Sequence, residues 1–283
     1  MDNLEKNKNH RSILCWTVFM AVVLSVTICL QLYIWTAERE INLQSLSVVA
    51  PAPKPIKVEK KVFGYSVKGN LIEGYEIGYG KEAILLMGAI HGNEVGSAYL
   101  LNRLVSEIKS NVKIISKNKR IIIIPVVNPD GYNIQQKFNA NGVNLNLNFN
   151  TTGWANYGPQ GTYAGPKPFS EPESQIVKKI VERYRPIMMI SYHTAGGIVS
   201  PEEGGPSAIL GKWYAQKTGY EYYDDAAAAA DNVDWNFPGT STMWFTRTTG
   251  KPAITVELSQ IDQGDWDINK TALMGIVSSS TNI

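Results

Sequence analysis

Two histidines and one glutamate carry the clearest chemical signal in this chain of 283 residues. His91 and Glu94 stand three positions apart, directly after the apolar run at residues 83–90. His193 comes far downstream, directly after a second apolar run at residues 187–192. Two imidazoles and one carboxylate hold a tetrahedral Zn²⁺ and leave its fourth position open for water. The spacing therefore predicts a metal site of the hydrolytic type.

The alternative is a pair of histidines whose ring nitrogens are satisfied by hydrogen bonds inside the core. The chain has only three histidines, and His10 lies in a polar amino-terminal tail. The other two both follow strand-like runs, so they can meet at one edge of a sheet. This arrangement favours a shared metal ion over two separately buried histidines.

Strand patterns supply the elements that position these residues. Residues 62–79 alternate as a β-hairpin does, with Gly69-Asn70 as its turn. Four apolar runs are typical of buried strands, at residues 83–90, 120–127, 187–192 and 251–257. The last run ends at Glu257, and a lone carboxylate at the end of a buried strand indicates a functional role.

Helical patterns lie between these strands. Apolar residues at helical spacing predict one helix from Gly96 onward and another from Ser170 to Pro186. Ser170 and Glu173 have the spacing of a capping box at the start of the second helix. Because strand and helix alternate along the chain, the sequence predicts an α/β domain.

An uncharged apolar segment at residues 12–35 predicts a transmembrane anchor. As a helix it would extend roughly 36 Å, enough to cross a bilayer with some tilt. Three basic residues precede it, so the positive-inside rule places the amino terminus in the cytoplasm and the rest of the chain outside. The predicted organisation is a cytoplasmic tail, the anchor, a proline-rich linker and one folded extracytoplasmic domain, at residues 1–11, 12–35, 36–61 and 62–283.

A cleaved signal peptide is the alternative for this segment. Its apolar region would ordinarily be only about 7–15 residues long and would be followed by a small-residue cleavage site. Both cysteines, Cys15 and Cys29, lie inside the segment, so the external domain is stabilised without disulfides. The net charge of +2 provides no strongly basic face, which argues against a nucleic-acid partner.

Six short motifs, in sequence order, resemble those of the zinc carboxypeptidase family. They are His91-Gly92-Asn93-Glu94, Asn128-Pro129-Asp130-Gly131, Gly142-Val143-Asn144-Leu145-Asn146, Ser170-Glu171-Pro172-Glu173, Ser191-Tyr192-His193 and Thr255-Val256-Glu257-Leu258. The resemblance extends from about Gly64 to Ser259. Phe237-Pro238-Gly239-Thr240, followed by Trp244, further resembles the murein peptide amidase branch, which trims bacterial murein peptides at γ-D-glutamyl-diamino acid bonds.

The resemblance implies a mixed, mostly parallel sheet flanked by helices, with the site at the strand ends. It also implies that His91, Glu94 and His193 bind Zn²⁺ and that Glu257 is the general base. A carboxylate opposite the metal can take a proton from water and pass it to the leaving amine, so the chemistry agrees with this role. The alternative for Glu257 is a salt-bridge partner at a strand end.

Two positions depart from the family pattern. The family's Asn-Arg pair, whose arginine grips the terminal carboxylate of the substrate, is Asn146-Leu147 here, and leucine cannot make that bidentate contact. A second family arginine is Lys137, which keeps the charge but lacks the planar fork. Lys137 and Asn146 remain the candidate substrate-binding residues. The chain therefore recognises its substrate differently, uses another cation such as Arg247, or has lost peptidase activity.

These observations predict a membrane-anchored, extracytoplasmic zinc metallopeptidase that hydrolyses an amide bond in peptidoglycan stem peptides. The anchor supports this substrate because a tethered hydrolase meets chiefly what lies near its own membrane. A noncatalytic, zinc-retaining peptide-binding domain and a deacylase of N-acyl amino acids are the alternatives. Leu147 favours the binding domain, whereas the complete set of ligands and Glu257 favours an enzyme.

Overall fold

The computed structural model describes residues 2–47, 55–202, 204–231 and 237–278, and the chain divides into two units, Met1–Pro55 and Ile56–Ile283. The first unit contains one helix, α1 (Asp2–Ser47). Its stretch Leu14–Ile41 is long and apolar enough to cross a membrane, a test that a signal sequence would also pass. Apolar side chains on all sides of this stretch are exposed.

The linker predicted at residues 36–61 is shorter than expected at both ends. Helix α1 continues through Ser47 because residues 36–47 contain neither proline nor glycine and include several good helix formers. At the other end, a strand begins at Val58, where the backbone pairs with the next strand of a hairpin. Most of the proline-rich centre of the predicted linker, residues 48–54, lies outside the described residues.

A sheet flanked by helices forms the second unit. Its strands are β1 (Val58–Tyr65), β2 (Leu71–Gly78), β3 (Glu82–Met87), β4 (Lys119–Ile124), β5 (Met188–Thr194), β6 (Ile198–Pro201), β7 (Glu221–Tyr222) and β8 (Ala253–Leu258). Its helices are α2 (Val95–Ser110), α3 (Pro129–Asn133), α4 (Pro172–Tyr184), α5 (Gly205–Thr218), α6 (Asp225–Ala230), α7 (Ser241–Thr249) and α8 (Trp266–Ser278).

The strand order is β1-β2-β4-β3-β5-β8-β6-β7. The four central strands, β4, β3, β5 and β8, are parallel, while β2 and β6 join them in antiparallel pairs. The mixed, mostly parallel sheet implied by the family resemblance is confirmed. Because β3, β5 and β8 are adjacent and parallel, their carboxyl ends meet at one edge, where polar side chains from three distant segments can converge.

Apolar side chains cover both faces of the central strands. One cluster packs α2, α5 and α8 against residues such as Ile84, Ile190 and Ile254. The other packs α4 and α7 against the opposite face, where Leu85 and Met189 lie. Central strands buried on both faces explain why their sequences are continuous apolar runs without alternation.

The predicted capping box at the start of α4 is wrong. The helix begins at Pro172 with Glu171 as the flanking residue, so Ser170 lies one position too early to cap it. Proline fixes the backbone at the first helical position and sets this start. Ser170 instead contacts Asn148 and the Glu171 carboxylate, and Glu173 accepts a hydrogen bond from the Val67 amide.

The carboxylate of Asp130 holds the first hairpin against the rest of the domain. It accepts hydrogen bonds from the Ser66 hydroxyl at 2.6 Å, the Lys68 amide at 3.0 Å and the Asn70 side chain at 2.7 Å. Burial alone would raise the pKa of Asp130, but these hydrogen bonds overcome that effect and lower it. The turn predicted at Gly69-Asn70 is therefore fixed by a residue about 60 positions downstream.

We expect Asp130→Ala to destabilise the domain by about 3 kcal/mol, because three donors lose a charged acceptor. Asp130→Asn should cost less, since its carbonyl oxygen still accepts. The wild-type contribution should be present above the ordinary aspartate pKa of about 3.9 and should vanish as pH falls through the lowered value. Urea denaturation of the full-length protein in detergent measures this, with exposed Asp262→Ala as the control. Equal free energies of unfolding for D130A and D262A would contradict the role given to Asp130.

Candidate metal centre

A tight turn after β3 delivers the first two candidate ligands. Ala89 adopts a left-handed backbone conformation with φ of 42°, which is strained for a residue other than glycine. Its amide donates to the Ser97 hydroxyl at 2.8 Å, and its carbonyl accepts from the Asn128 amide at 3.0 Å. These two bonds hold the turn that places His91 at the sheet edge.

Gly92 lies between those ligands where no side chain fits. A Cβ atom there would lie 2.2 Å from the carbonyl carbon of Gly131. The Gly92 amide also donates to the Lys137 carbonyl at 3.2 Å. Close backbone approach explains the glycine and ties the turn to the segment that follows β4.

His91, Glu94 and His193 come together as the sequence predicts. All three are buried, and their ligand atoms lie within 4.8 Å of one another. His91 Nδ1 is 2.7 Å from Glu94 Oε1, and His193 Nδ1 is 2.9 Å from Glu94 Oε2. The ring centroids of the two histidines are 4.9 Å apart. One carboxylate therefore faces the same nitrogen of both imidazoles.

The outer nitrogens of both rings have partners that the sequence analysis did not single out. Asn144 Oδ1 lies 2.9 Å from His91 Nε2 and also accepts from the Asn146 amide at 3.1 Å, which fixes the orientation of the Asn144 amide. Ser191 Oγ lies 3.1 Å from His193 Nε2. Asn144 and Ser191 both lie within the family motifs. Their position in these motifs was the sequence feature that could have identified them as partners of the two histidines.

This arrangement fits a bound metal cation. Because Asn144 offers an acceptor oxygen, the proton of a neutral His91 resides on Nε2, and its Nδ1 lone pair points at the Glu94 carboxylate. Glu94 Oε2 is buried and, within the described chain, has no directed hydrogen bond despite the proximity of His193. The Nδ1 lone pair of His91 and the Glu94 oxygen 2.7 Å away are both electron-rich, so they repel each other unless a cation lies between them. Nitrogen, nitrogen and oxygen donors suit Zn²⁺.

The pKa values of the three groups reflect the same geometry. Burial lowers the pKa of His91, with Glu94 opposing, so this ring is neutral near pH 7. Burial alone would raise the pKa of Glu94, but the two imidazoles lower it to about 2. Burial alone would lower the pKa of His193, but Glu94 and Glu257 raise it overall. A neutral histidine and an ionised carboxylate are the protonation states that bind a metal.

Glu257 lies beside these residues in the next strand. It is the β-sheet partner of His193 in the β5–β8 pair, and both side chains line one cavity of about 290 Å³. Burial raises the pKa of Glu257 to about 7, with His193 and Lys137 opposing and Glu94 adding to the rise. A carboxyl group that titrates near neutral pH can both accept and return a proton.

The two predicted substrate-binding residues, Lys137 and Asn146, also line this cavity. Lys137 is exposed, and its carbonyl accepts from Gly92 and from the Asn128 side chain, which positions the segment. Asn146 Oδ1 accepts from the Ser241 hydroxyl at 2.9 Å and from the Ser241 amide at 3.2 Å. The side-chain oxygen of Asn146 therefore faces α7. Its amino group is the part of the side chain that can donate a hydrogen bond.

The altered clamp position is an apolar part of the wall. Leu147 is buried and lines the cavity at the place where the family carries arginine. Arg247 lies in the last turn of α7, is exposed and does not line the cavity, so the suggestion that it replaces the missing arginine is wrong. Within the described residues, the basic side chain in the lining is Lys137.

The relatives of this chain include murein peptide amidases. The chain is similar to murein peptide amidase A of Escherichia coli strain K12, 28% identical over 148 residues, covering 48% of this chain and 57% of the relative. The match therefore spans little more than half of that relative's length. Murein peptide amidase A of Vibrio campbellii is 26% identical over 198 residues, covering 66% of this chain and 73% of the relative.

Solved structures share the fold. A murein-tripeptide amidase from Escherichia coli O157 superposes with a TM-score of 0.62 at 21% identity, covering 82% of this chain and 96% of that one. Carboxypeptidase A from Helicoverpa armigera gives a TM-score of 0.64 at 18% identity, covering 78% and 68%. The family model of zinc carboxypeptidases matches residues 50–272, which include every candidate ligand. The chain belongs to the zinc carboxypeptidase family.

Proposed function

We propose that this protein is a zinc metallopeptidase that hydrolyses an amide bond in peptidoglycan stem peptides. The observation that carries the proposal is the convergence of His91, Glu94 and His193 with Glu257 on one cavity. His193 and Glu257 are paired in the adjacent strands β5 and β8, and His91 and Glu94 lie in the turn after the neighbouring strand β3, so the sheet places all four at one edge.

His91, Glu94 and His193 would hold the metal. Bound there, Zn²⁺ supplies a Lewis acid that polarises a carbonyl and lowers the pKa of a water molecule. Asn144 and Ser191 orient the two imidazoles through Nε2, so that each Nδ1 faces the metal position. Rigid ligands of this kind keep one position open for substrate.

Glu257 would move the proton. Its carboxylate accepts a proton from the water whose oxygen attacks the amide carbon, and then gives that proton to the nitrogen as the carbon–nitrogen bond breaks. Lys137 lines the same cavity and brings a positive charge toward the carbonyl oxygen, where negative charge develops. The amino group of Asn146 would donate to a substrate oxygen from the opposite side.

Peptidoglycan peptides are the substrate class that the relatives support. The names of two sequence relatives and one structural neighbour specify murein peptides. The altered clamp at Leu147 agrees with a substrate other than an ordinary polypeptide carboxyl terminus. Our preferred bond joins γ-D-glutamate to the diamino acid.

Helix α1 would anchor the enzyme in the cell membrane with its domain outside. Its apolar side chains between Leu14 and Ile41 are exposed, and an apolar surface of this extent is unfavourable in water. Basic residues before the span support a cytoplasmic amino terminus. This placement would bring the cavity to the cell wall.

The test of the reaction is mass spectrometry of stem peptides incubated with the full-length, zinc-loaded protein in detergent. We expect peptides split at one amide bond, and a chelator should stop the reaction. Glu257→Gln should bind zinc normally and turn over about 10²–10⁴-fold more slowly, because it cannot accept the proton. Exposed Glu182→Gln on α4 is the matched control.

Three results would contradict this reading. A fully active Glu257→Gln protein would exclude the proposed base. Unchanged masses for all stem peptides, with zinc bound, would favour the noncatalytic peptide-binding domain. Cleavage of N-acyl amino acids in place of stem peptides would identify a deacylase.

A second prediction concerns zinc affinity. Asn144→Ala should weaken zinc binding about 10- to 100-fold because His91 loses the acceptor that fixes its tautomer. Asn144→Asp should retain the affinity. Competition with a fluorescent chelator measures both, and exposed Asn102→Ala on α2 is the control. Wild-type affinity in Asn144→Ala would show that the hydrogen bond does not orient the ligand.

A third prediction concerns the anchor. The full-length chain should sediment with membranes, resist an alkaline wash and keep its amino-terminal residues. Protease added to cells whose outer barriers have been removed should digest the domain at residues 62–283. A mature protein that begins after residue 35 would instead identify a cleaved signal sequence.

A further inference from the structure

We propose that the edge of the sheet opposite the metal centre binds anionic phospholipid headgroups. Six exposed basic residues at this edge form what we call the basic face: Lys57, Lys81, Lys113, Lys117, Arg185 and Lys251. None of these six residues lines the cavity. Binding of lipid by the basic face goes beyond the proposed reaction, and it rests on the proposed placement of the domain outside an anchored membrane span.

The parallel strands bring four of these residues into one row. Lys81 stands directly before β3, while Lys117 and Lys251 stand two positions before β4 and β8. Arg185 ends α4, three positions before β5. Because these four strands are adjacent and parallel, their amino ends form a row about 14 Å long at roughly 4.8 Å per strand. The three positions after each of the same strands contain no charged residue, so the basic side chains belong to one end of the sheet.

Two further basic residues extend this row. The carbonyl of Lys57, directly before β1, accepts from the Gly78 amide at 3.1 Å, and Gly78 stands opposite Arg120 near the start of β4. Lys113 lies in the 3-10 turn Val112–Ile114, which connects α2 to β4. Both residues therefore lie at the same edge as the amino ends of the central strands.

The charge of the basic face is not neutralised within the described chain. Acidic side chains near this edge are paired with other basic residues, in the pairs Glu82 with Lys119, Glu76 with Lys61 and Glu182 with Lys178. Among the described residues, none of the six side chains of the basic face takes part in an ion pair. The net charge of +2 predicted no strongly basic face. That prediction is wrong at this edge, because basic residues from separate segments meet there.

The place where the chain enters the domain favours a membrane as the partner. Lys57 belongs to the basic face and follows Ile41, the end of the apolar stretch of α1, by 16 positions. A segment of this length extends at most about 55 Å, so an anchor keeps the basic face at a high effective concentration of headgroups. Each basic side chain near an anionic lipid surface strengthens binding by about fivefold. A soluble polyanion gains nothing from this tether.

Binding at the basic face determines where the cavity lies relative to the lipid. His193 and Glu257, which line the cavity, are paired near the carboxyl ends of β5 and β8, whereas the basic face lies at the amino ends. Strands of six residues, such as β3, separate these two edges by roughly 20 Å. A domain bound in this way therefore keeps its cavity away from the headgroups.

The experiment measures by mass spectrometry how fast each lysine of the full-length protein in vesicles is acylated by a polar, uncharged reagent. With about one third phosphatidylglycerol, the lysines at positions 81, 113, 117 and 251 should react at least about fivefold more slowly than in pure phosphatidylcholine. Exposed Lys167, which precedes α4, is the reference. This protection should disappear at about 1 M salt, where the screening length falls to about 3 Å.

A double variant tests whether the basic face causes the protection. K81Q/K251Q removes two of its charges, at the starts of β3 and β8. Lys113 and Lys117 should then lose most of their protection in anionic vesicles, because each lost charge weakens binding by about fivefold. Protection of Lys113 and Lys117 that survives in K81Q/K251Q would overturn the inference.

The matched control is K68Q/K217Q, which removes the same number of exposed charges. These two residues lie in the turn of the first hairpin and in the last turn of α5. The control should keep the protection of the wild type. Equal loss of protection in both variants would overturn the inference. Equal protection by both kinds of vesicle, or protection by soluble polyphosphate in place of anionic vesicles, would do the same.

Acylation rates do not depend on hydrolysis, so they separate this inference from the proposed function. If no stem peptide is cleaved but anionic vesicles protect the basic face, the inference stands and the proposed reaction fails. If the mature chain begins after residue 35, the proposed anchor fails, and added anionic vesicles should still protect these lysines at higher lipid concentration. An anchored, active enzyme whose lysines stay unprotected would keep the proposed function and overturn the inference.

Discussion

A buried carboxylate between two imidazoles is the constraint on which the site depends. Glu94 faces Nδ1 of both His91 and His193, and Asn144 fixes the His91 proton on the other side of the ring. The His91 side of this geometry is unfavourable in a buried environment without a cation, because its Nδ1 lone pair faces a carboxylate oxygen. The two strand ends thus bring together three side chains that could hold a metal ion.

The parallel centre of the sheet makes this arrangement possible. Strands β3, β5 and β8 are adjacent, so residues that are far apart in sequence reach one edge with little freedom to move. The strained turn at Ala89 and the close backbone contact at Gly92 place His91 and Glu94 at that edge. Function thus depends on a rigid scaffold beneath a cavity whose walls come from loops and α7, and the walls can vary without disturbing the metal.

The walls are where this chain differs from its family pattern. Leu147 replaces a carboxylate clamp, while Lys137 keeps one positive charge near the reaction centre. On the far side, Thr242 holds the Glu202 carboxylate in place.

The sequence alone was sufficient for the α/β class, for the convergence of His91, Glu94 and His193 and for the position of Glu257 at a strand end, because apolar runs and the polar residues that follow them are local patterns. The capping box predicted from the sequence is wrong because Pro172 sets the start of α4. The first residues of the predicted linker belong to α1 and its last residues belong to β1. Only the tertiary structure decided that Arg247 lies outside the cavity and that Glu202 lines it. Which polar side chains share a cavity depends on how separate elements pack together, and no spacing within one segment contains that information.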